Sequence, residues 1–183
     1  MAVPEIPLRQ TKHGLVADGD GWFVINARES RWKDTVHFGF FCNFEGKRRF
    51  RQLGINLNVL EPGQPLGLYH RERAQEDFLV LAGECLLLVE GQERRLKTWD
   101  FFHCPGGTDH IVIGAGKTPA VVLAVGGRGG RKGLVYPVEP LAQAHEAGAE
   151  RETTKPDEAY RPFPKFERCR YRPGWLPDYS STR

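Results

Sequence analysis

The sequence lacks long apolar runs and is poor in cysteine. No stretch of its 183 residues approaches the ~18 consecutive apolar residues of a bilayer-spanning helix, and Met1 to Gln10 contain prolines and charges. We therefore expect no membrane partner. Cys42, Cys85, Cys104 and Cys169 lie far apart with no C-x-x-C pair, which favours free thiols in a reducing compartment. This distribution predicts a cytoplasmic protein.

Neither sign of charge dominates the chain. It has 26 Lys and Arg against 23 Asp and Glu, which gives a formal charge of +3 and a pI near 8.7. Such a mild balance does not require a polyanionic partner, and no helix-turn-helix pattern is present. The basic and aromatic residues between Tyr160 and Arg172 are typical of a tail held by its rings, with its cations in solvent. We expect no nucleic-acid partner.

What the sequence does contain is a series of short apolar segments. From Trp22 onward these segments are separated by Gly, Pro and charged turns, which is typical of many short strands. A length of 183 residues with 40% hydrophobic content suits one domain with a sizeable core. The pattern therefore predicts an all-β sandwich or barrel. The predicted strands are 22–27, 36–41, 54–60, 77–82, 85–89, 94–97, 101–104, 110–113 and 120–125.

Segments on either side of the barrel are expected to cover it. Residues 78–82 and 121–125 are apolar on both faces of their strands, so the sheet needs packing outside as well as inside. One helix is predicted near Pro140–Glu146, with Pro140 at a permitted first-turn position, followed by a tail. Residues 15–45 are rich in aromatic rings that suit either the barrel wall or a homodimer interface. These rings include Trp22, Trp32, Phe38, Phe40, Phe41 and Phe44.

The candidate chemistry lies in two segments that are far apart along the chain. His70, Glu72 and Glu76 have equal parity and share a face of a regular strand, with a bend predicted at residues 73–75. His110 follows about forty residues later, and only a closed or sandwiched sheet can bring it to His70. Two imidazoles and two carboxylates together suit one divalent metal ion.

A structural role is the alternative for the same residues. Residues 71–77 are a charged stretch that suits a solvated loop, and His110 after a Pro-Gly turn suits a hydrogen-bonded histidine. His103 is a candidate proton shuttle if it faces the cavity, and otherwise a structural histidine. Strand alternation predicts a mostly apolar substrate cavity with one polar end. Its predicted lining is Phe78, Val80, Ala82, Phe102, His103 and Val112.

The spacing of these residues resembles that of the cupin superfamily. The first cupin motif has two histidines two residues apart, then a glutamate, then a glycine seven residues further on. The second motif has a Gly-Asp pair, then Pro-x-Gly, a histidine and an asparagine. The likeness covers roughly residues 54 to 125. The matching positions are His70, Glu72, Glu76 and Gly83 for the first motif, and Trp99, Asp100, Pro105, Gly107, His110 and Gly114 for the second.

The resemblance implies a fold and a metal. The implied fold is a cupin-type double-stranded β-helix, or jelly-roll barrel, in one domain over residues 1–183: N-terminal strands in 1–53, the barrel core in 54–126, and an extension with a short helix and tail in 127–183. The implied metal ligands are His70, Glu76 and His110, with Glu72, which replaces a family histidine, as the fourth. Such a set suits Fe, Mn, Zn or Ni.

Three kinds of function remain open at this point. The first is a metal-dependent dioxygenase or isomerase acting on a small organic molecule, favoured because anionic ligands lower the Lewis acidity that a hydrolase needs. The second is a non-catalytic cupin that binds a small molecule. The third is a metal-free epimerase or lyase with His70 or His110 as its base. The sequence assigns no catalytic residue and no substrate.

Overall fold

The computed structural model describes residues 2–128 and 133–178. No helix in these residues is long and apolar enough to cross a membrane. The strands are β1 (Leu8–Thr11), β2 (Gly14–Ala17), β3 (Trp32–Asp34), β4 (Phe40–Cys42), β5 (Leu53–Leu60), β6 (Glu76–Ala82), β7 (Glu84–Val89), β8 (Gln92–Lys97), β9 (Phe101–Cys104), β10 (His110–Ala115), β11 (Ala120–Gly127) and β12 (Glu167–Cys169). The helices are α1 (Pro140–Ala144) and α2 (Pro156–Ala159).

Two antiparallel sheets pack against each other and form the barrel. The larger sheet has the order β12-β3-β4-β5-β11-β6-β9, and the smaller has the order β10-β7-β8. The loop after β5 runs beside β10, where Pro65 pairs with Ile113 and His70 pairs with His110. This loop extends the smaller sheet by one irregular strand. The architecture confirms the predicted all-β fold of the cupin type.

Strand β11 is buried on both faces. Val122 lies in the inner cluster together with Leu87 of the facing sheet, whereas Val121 lies in an outer cluster with Trp32 and Trp175. Successive strand residues point to opposite sides, so a strand covered on both sides has a continuous apolar sequence. The predicted outer cover is therefore confirmed, and the C-terminal segment supplies part of it through Trp175.

Aromatic residues of the N-terminal segment pack within the chain. Trp32 is fully buried, and its ring centroid is 5.1 Å from that of Trp175. The ring of Phe40 packs on Trp175 as well, at 4.2 Å. By contrast, Trp22 is half exposed. Trp32 and Phe40 thus pack on the barrel wall, which is one of the two expectations for residues 15–45. The other expectation, a homodimer interface, stays a prediction.

The N-terminal strands differ from their predicted positions. Residues 22–27 form no strand, and Trp22 makes a single isolated bridge. The predicted strand at 36–41 is reduced to β4, because Val36 and Gly39 adopt left-handed φ values of 60° and 73° in a turn. The short strands β1, β2, β3 and β12 are absent from the sequence-based prediction. Strands of three or four residues are defined by their pairing more than by propensity.

The C-terminal extension is ordered by short helices and a single short strand. Helix α1 begins at Pro140 as predicted, and Glu139 caps it by accepting a hydrogen bond from the Leu141 N–H. It ends at Ala144 rather than Glu146, and the sequence pattern misses α2. Residues 129–132 and 179–183 of the predicted extension lie outside the described residues. The boundaries of the three predicted segments stay predictions.

Candidate metal centre

His70 and His110 form one antiparallel backbone pair at the edge of the smaller sheet. The His70 N–H donates to the His110 carbonyl at 3.2 Å, and the His110 N–H donates to the His70 carbonyl at 2.9 Å. Residues paired in this way project their side chains to the same face of a sheet. Their ring centroids are 5.0 Å apart. The fold thus brings together two histidines that are distant in sequence.

Backbone carbonyls orient both imidazoles. Nδ1 of His70 lies 2.8 Å from the Leu68 carbonyl, and Nδ1 of His110 lies 3.0 Å from the Thr108 carbonyl. Because a carbonyl oxygen only accepts, each Nδ1 has the hydrogen, and the lone pair of each neutral ring is on Nε2. The thiol of Cys104, with Sγ 3.3 Å from His110 Nδ1, is a further buried neighbour. Such contacts are the usual way in which proteins orient metal-binding histidines.

Glu76 supplies a third ligand atom. It is the first residue of β6, and its Oε2 lies 3.3 Å from His70 Nε2 and 3.4 Å from His110 Nε2. Within the described residues, Glu76 Oε2 and His110 Nε2 are buried without a hydrogen-bond partner, and the three ligand atoms lie within 4.8 Å of one another. Three acceptor atoms with no hydrogen between them repel one another. The cluster therefore needs a cation, either a proton or a metal ion.

The pKa values within the cluster shift in opposite directions. Burial alone would lower the pKa of His110, but its contacts with Cys104 and Glu76 outweigh burial and raise that pKa to about 9. Burial alone would raise the pKa of Glu76, but its contacts with His110 and His70 lower it to about 2. Burial also opposes protonation of His70, and the neighbouring Glu76 carboxylate still raises its pKa. A carboxylate stays ionised here because positive charge is available beside it.

Glu72 lies beside the cluster but not within it. Its side chain is half buried, and its carboxylate is not among the grouped ligand atoms of the described residues. Burial and then the negative charge of Glu76 raise the pKa of Glu72. Regular pairing ends at Arg71, so the strand alternation that predicts a shared face does not extend to Glu72. The structure brings together three of the four predicted ligands.

Apolar side chains fill the barrel beside the histidines. Phe78 and Phe102 are opposite each other on β6 and β9, and their rings stack at 5.8 Å. The ring of His110 lies 5.3 Å from Phe78 and 5.9 Å from Phe102. Val80 and Val112 belong to the same inner cluster. Four predicted lining residues thus lie on the inner face, where they lower the local polarity around the ligand atoms.

Two other predicted lining residues face outward. His103 pairs with Asp77 of β6, with Nδ1 2.7 Å from Oδ1, and its side chain is 54% exposed. It cannot shuttle protons in the barrel interior, because strand alternation places it on the face opposite Phe102. Ala82 packs in the outer cluster, since the register shifts between Val121 and Val122 at that point. The expectations for His103 and Ala82 are corrected accordingly.

A tyrosine from the C-terminal extension also reaches the cluster. Tyr136 is buried, and its ring centroid lies 5.7 Å from that of His70. The backbone pairing of Val135 with Arg71 places it there. Burial, Tyr160 and the nearby carboxylates raise the pKa of Tyr136, so its hydroxyl keeps its proton. No local pattern marks this residue, because its role depends on pairing between segments that are distant in sequence.

Fold and site define the class of protein: a jelly-roll barrel with a candidate metal centre of two histidines and one glutamate. Residues 56–126 match the family model of the cupin domain. Residues 56–126 therefore contain the cupin domain that the motifs around His70 and His110 predict. No curated protein matches the chain.

Similar solved structures include two proteins described as sugar phosphate isomerases. The one from Acidithiobacillus ferrooxidans, a provisional assignment, is 30% identical over 43% of this chain and 51% of its own, with a TM-score of 0.41. The one from Silicibacter pomeroyi is 31% identical over 42% and 51%, with a TM-score of 0.41. An oxalate decarboxylase assigned by prediction, from Thermotoga maritima, is 26% identical over 42% and 66%, with a TM-score of 0.39. The chain spans about half the length of the first two, and likenesses of this extent assign no activity.

Proposed function

We propose that this protein is a metal-dependent cupin enzyme, a dioxygenase or isomerase, that acts on a small organic molecule. The observation that supports it is the convergence of His70 Nε2, His110 Nε2 and Glu76 Oε2, three acceptor atoms of which two are buried with no partner in the described residues. A buried acceptor without a donor costs free energy, so a protein keeps such a group where a cation binds.

The donor set fits a first-row divalent ion. Two imidazole nitrogens and one carboxylate oxygen, with coordination positions left open, suit Fe(II), Mn(II), Zn(II) or Ni(II). When bound, such an ion supplies Lewis acidity and, if redox-active, a site for oxygen chemistry. His70, Glu76 and His110 would hold it, and the set would have a formal charge of +1, because only one of the three ligands is anionic. This charge leaves more Lewis acidity than the neutral four-ligand set with Glu72.

Residues around the ligands perform the remaining tasks. Phe78 and Phe102 exclude water from the inner side of His110, which strengthens electrostatic interactions at the site. Glu72 is the carboxylate beside the cluster whose pKa burial raises, and we assign it to proton transfer with substrate at its side-chain oxygens. Tyr136 borders the site with a protonated hydroxyl that helps to orient what binds there.

Metal content tests the proposal directly. Protein purified without chelators and reconstituted with each of the four ions should hold about one ion per chain by elemental analysis. His110→Ala should lose that ion, because it removes a buried ligand. The matched control is His103→Ala, which removes an exposed histidine that pairs with Asp77. Wild-type protein that binds none of the four ions would overturn the proposal.

Activity measurements separate the other two functions. Turnover of a small molecule that persists after complete metal removal would identify a metal-free epimerase or lyase. Saturable ligand binding by metal-loaded protein, with no product from any bound compound, would identify a binding module. Metal-dependent turnover that His110→Ala abolishes supports the enzyme.

A homodimer and a cytoplasmic location belong to the same proposal. Trp22 and Val24 are exposed apolar residues within 15–45, at 50% and 80%, and could contribute to a contact between two copies. A monomeric mass in sedimentation at micromolar protein would contradict the dimer. The four cysteines are free, which suits a reducing compartment, and imaging of the tagged full chain tests the location.

A further inference from the structure

A cavity of about 560 Å³ lies outside the candidate metal centre. It is formed by the turn before β4, the loop after β5, and α2 with the segment that follows it. None of its lining residues belongs to the His70, Glu76 and His110 cluster. Its volume is within the range of about 300–1,000 Å³ that small-molecule sites occupy. Five of its lining residues are aromatic: Phe38, Phe41, Tyr160, Phe163 and Phe166.

One wall of the cavity is held rigidly in place. The Phe38 ring packs edge to face on Tyr160 at 5.2 Å and on Phe163 at 4.8 Å. The Tyr160 hydroxyl accepts a hydrogen bond from the Leu68 N–H at 3.0 Å, which ties this wall to the loop after β5. A preformed aromatic wall suits a flat ring, because little side-chain freedom is lost when the ligand binds.

On the other side of the cavity, two of the lining rings pack on the ammonium group of Lys33, which lies behind the lining residues. Lys33 Nζ lies 4.6 Å from the Phe41 centroid and 4.8 Å from the Phe166 centroid, and both rings line the cavity. Lys33 is half buried, whereas Phe166 is 50% exposed. In residues 2–128 and 133–178, no carboxylate lies within ion-pairing distance of Lys33. A partly desolvated cation beside exposed aromatic surface offers a place for an anionic group.

Further positive charge lies on the same face of the sheet. Lys33 of β3 is directly opposite Arg168 of β12, a like-charged pair that disfavours the sheet when nothing neutralises it. Arg31 and Arg170 lie just outside these two strands, and Arg31 acts on Lys33 electrostatically. Burial and the charge of Arg31 lower the pKa of Lys33.

Two acidic residues near Lys33 are engaged elsewhere, whereas Asp157 of α2 lines the cavity itself. Glu45 acts on Lys33 electrostatically, but its carboxylate is paired with Arg128 at 2.7 Å. Asp34 lies on the opposite face of β3 and pairs with Arg172. The positive face around Lys33 therefore keeps a net charge that a ligand can neutralise.

We propose that this cavity is a second ligand site that takes a planar aromatic anion, with its ring between the aromatic walls and its acid group at Lys33. The site is independent of the metal centre. Tyr160 separates the two, because its ring packs on Tyr136 at 5.7 Å, and Tyr136 in turn packs on His70.

Calorimetric titration with two probes that share one ring system tests the site. Naphthoate has the ring and the negative charge, and naphthylmethanol has the ring alone. Wild-type protein should bind naphthoate saturably and about tenfold more tightly than the alcohol, as expected for one charge-assisted contact. Lys33→Met should abolish that preference, since it keeps an unbranched side chain between the rings but removes the charge. Lys97→Met is the matched control, an exposed strand lysine opposite Glu84.

Each of the remaining measurements excludes another explanation for naphthoate binding. Unchanged naphthoate binding by His110→Ala is expected, and its loss would overturn the proposal by locating the carboxylate at the metal centre. Loss in Lys165→Met without loss in Lys33→Met would overturn the assigned orientation. Equal affinity for the two probes, or exclusion of both by a dimer that buries Phe166, would also overturn the site. This arrangement keeps the test separate from that of the proposed enzyme.

Discussion

His70 and His110 exchange both backbone hydrogen bonds, at 3.2 and 2.9 Å, and their Nε2 atoms lie 3.3 and 3.4 Å from the same oxygen of Glu76. The backbone pair fixes the spacing of the two rings, and the carbonyls of Leu68 and Thr108 fix their rotation. A site positioned by strand pairing in this way is organised before any ligand binds.

Metal affinity should depend much more strongly on Glu76 than on Glu72. Glu76→Gln removes a buried anionic ligand and should weaken metal binding by more than about 100-fold, whereas Glu72→Gln should weaken it by about tenfold or less. The measurement is competition titration of each variant with a chromophoric chelator. Equal losses would make Glu72 a ligand and return the site to four protein donors.

A methyl group at Gly126 should disturb Glu76 without altering the chemistry of the site. A Cβ there would lie 3.3 Å from Glu76 Oε1 and 3.4 Å from its Cγ, closer than most such contacts. Gly126→Ala should therefore lower metal affinity by about tenfold, the scale of a displaced supporting contact. Gly127→Ala is the control, because its Cβ would meet its nearest atom, in Ala74, at an ordinary 3.5 Å. Matching affinities for both variants would show that Glu76 moves freely.

The stability of metal-free protein should depend on pH in two directions. The pKa of Glu76 falls from 4.5 to about 2 on folding, so its contribution is present above pH 4.5 and is lost as the pH falls towards 2. The pKa of His110 rises from 6.5 to about 9, so its contribution is present below pH 6.5 and is lost as the pH rises through 9. Urea unfolding across this range should give a maximum between pH 4.5 and 6.5.

Metal-loaded protein and the Glu76→Gln variant are the controls for this dependence of stability on pH. A bound ion takes the place of the proton on His110, so the decline at high pH should disappear in metal-loaded protein. Glu76→Gln should flatten both arms of the metal-free profile, because the carboxylate causes or shares in each shift. If the stability of the Glu76→Gln variant still declines at high pH, a group other than His110 causes that decline.

The glycine that closes the first cupin motif should be needed for the fold. Gly83 has a φ of +74°, and a Cβ there would lie 2.7 Å from the Pro119 carbonyl. Gly91 has a similar φ of +68° with nothing within 4 Å of a Cβ. Gly91→Ala should lower the free energy of unfolding by about 1–2 kcal/mol from backbone strain, and Gly83→Ala should lower it further. Chemical denaturation measures both, and a smaller loss for Gly83→Ala would contradict the close approach.

The barrel strands could be predicted because strand alternation and turn residues are local signals. Strands β5 to β11 lie within one or two residues of their predicted positions. The short strands β3 and β12 could not be predicted, since a three-residue strand exists only through its partners. In the second motif, Trp99 stands where the family has glycine, and it adopts a φ of 75° that is unfavourable for a bulky residue.

In the site, too, local sequence signals predict some residues, whereas others depend on contacts between distant segments. Motif spacing marks His70, Glu76 and His110, because each family position imposes a residue type. It cannot exclude Glu72 or His103, whose side-chain directions depend on where regular pairing ends and on the face that the strand presents. It also misses Tyr136, which reaches His70 through a backbone pairing between distant segments.

By itself, the sequence determined the all-β barrel and the cupin motifs, and it included the three residues of the candidate centre among four predicted ligands, since alternation and motif spacing are properties of the chain alone. Only the tertiary structure decided which acceptor atoms converge, that Glu72 lies outside the cluster, and that an aromatic cavity lies beside Lys33. These depend on register, bulges and long-range pairing, in which a shift of one residue reverses the direction of every side chain.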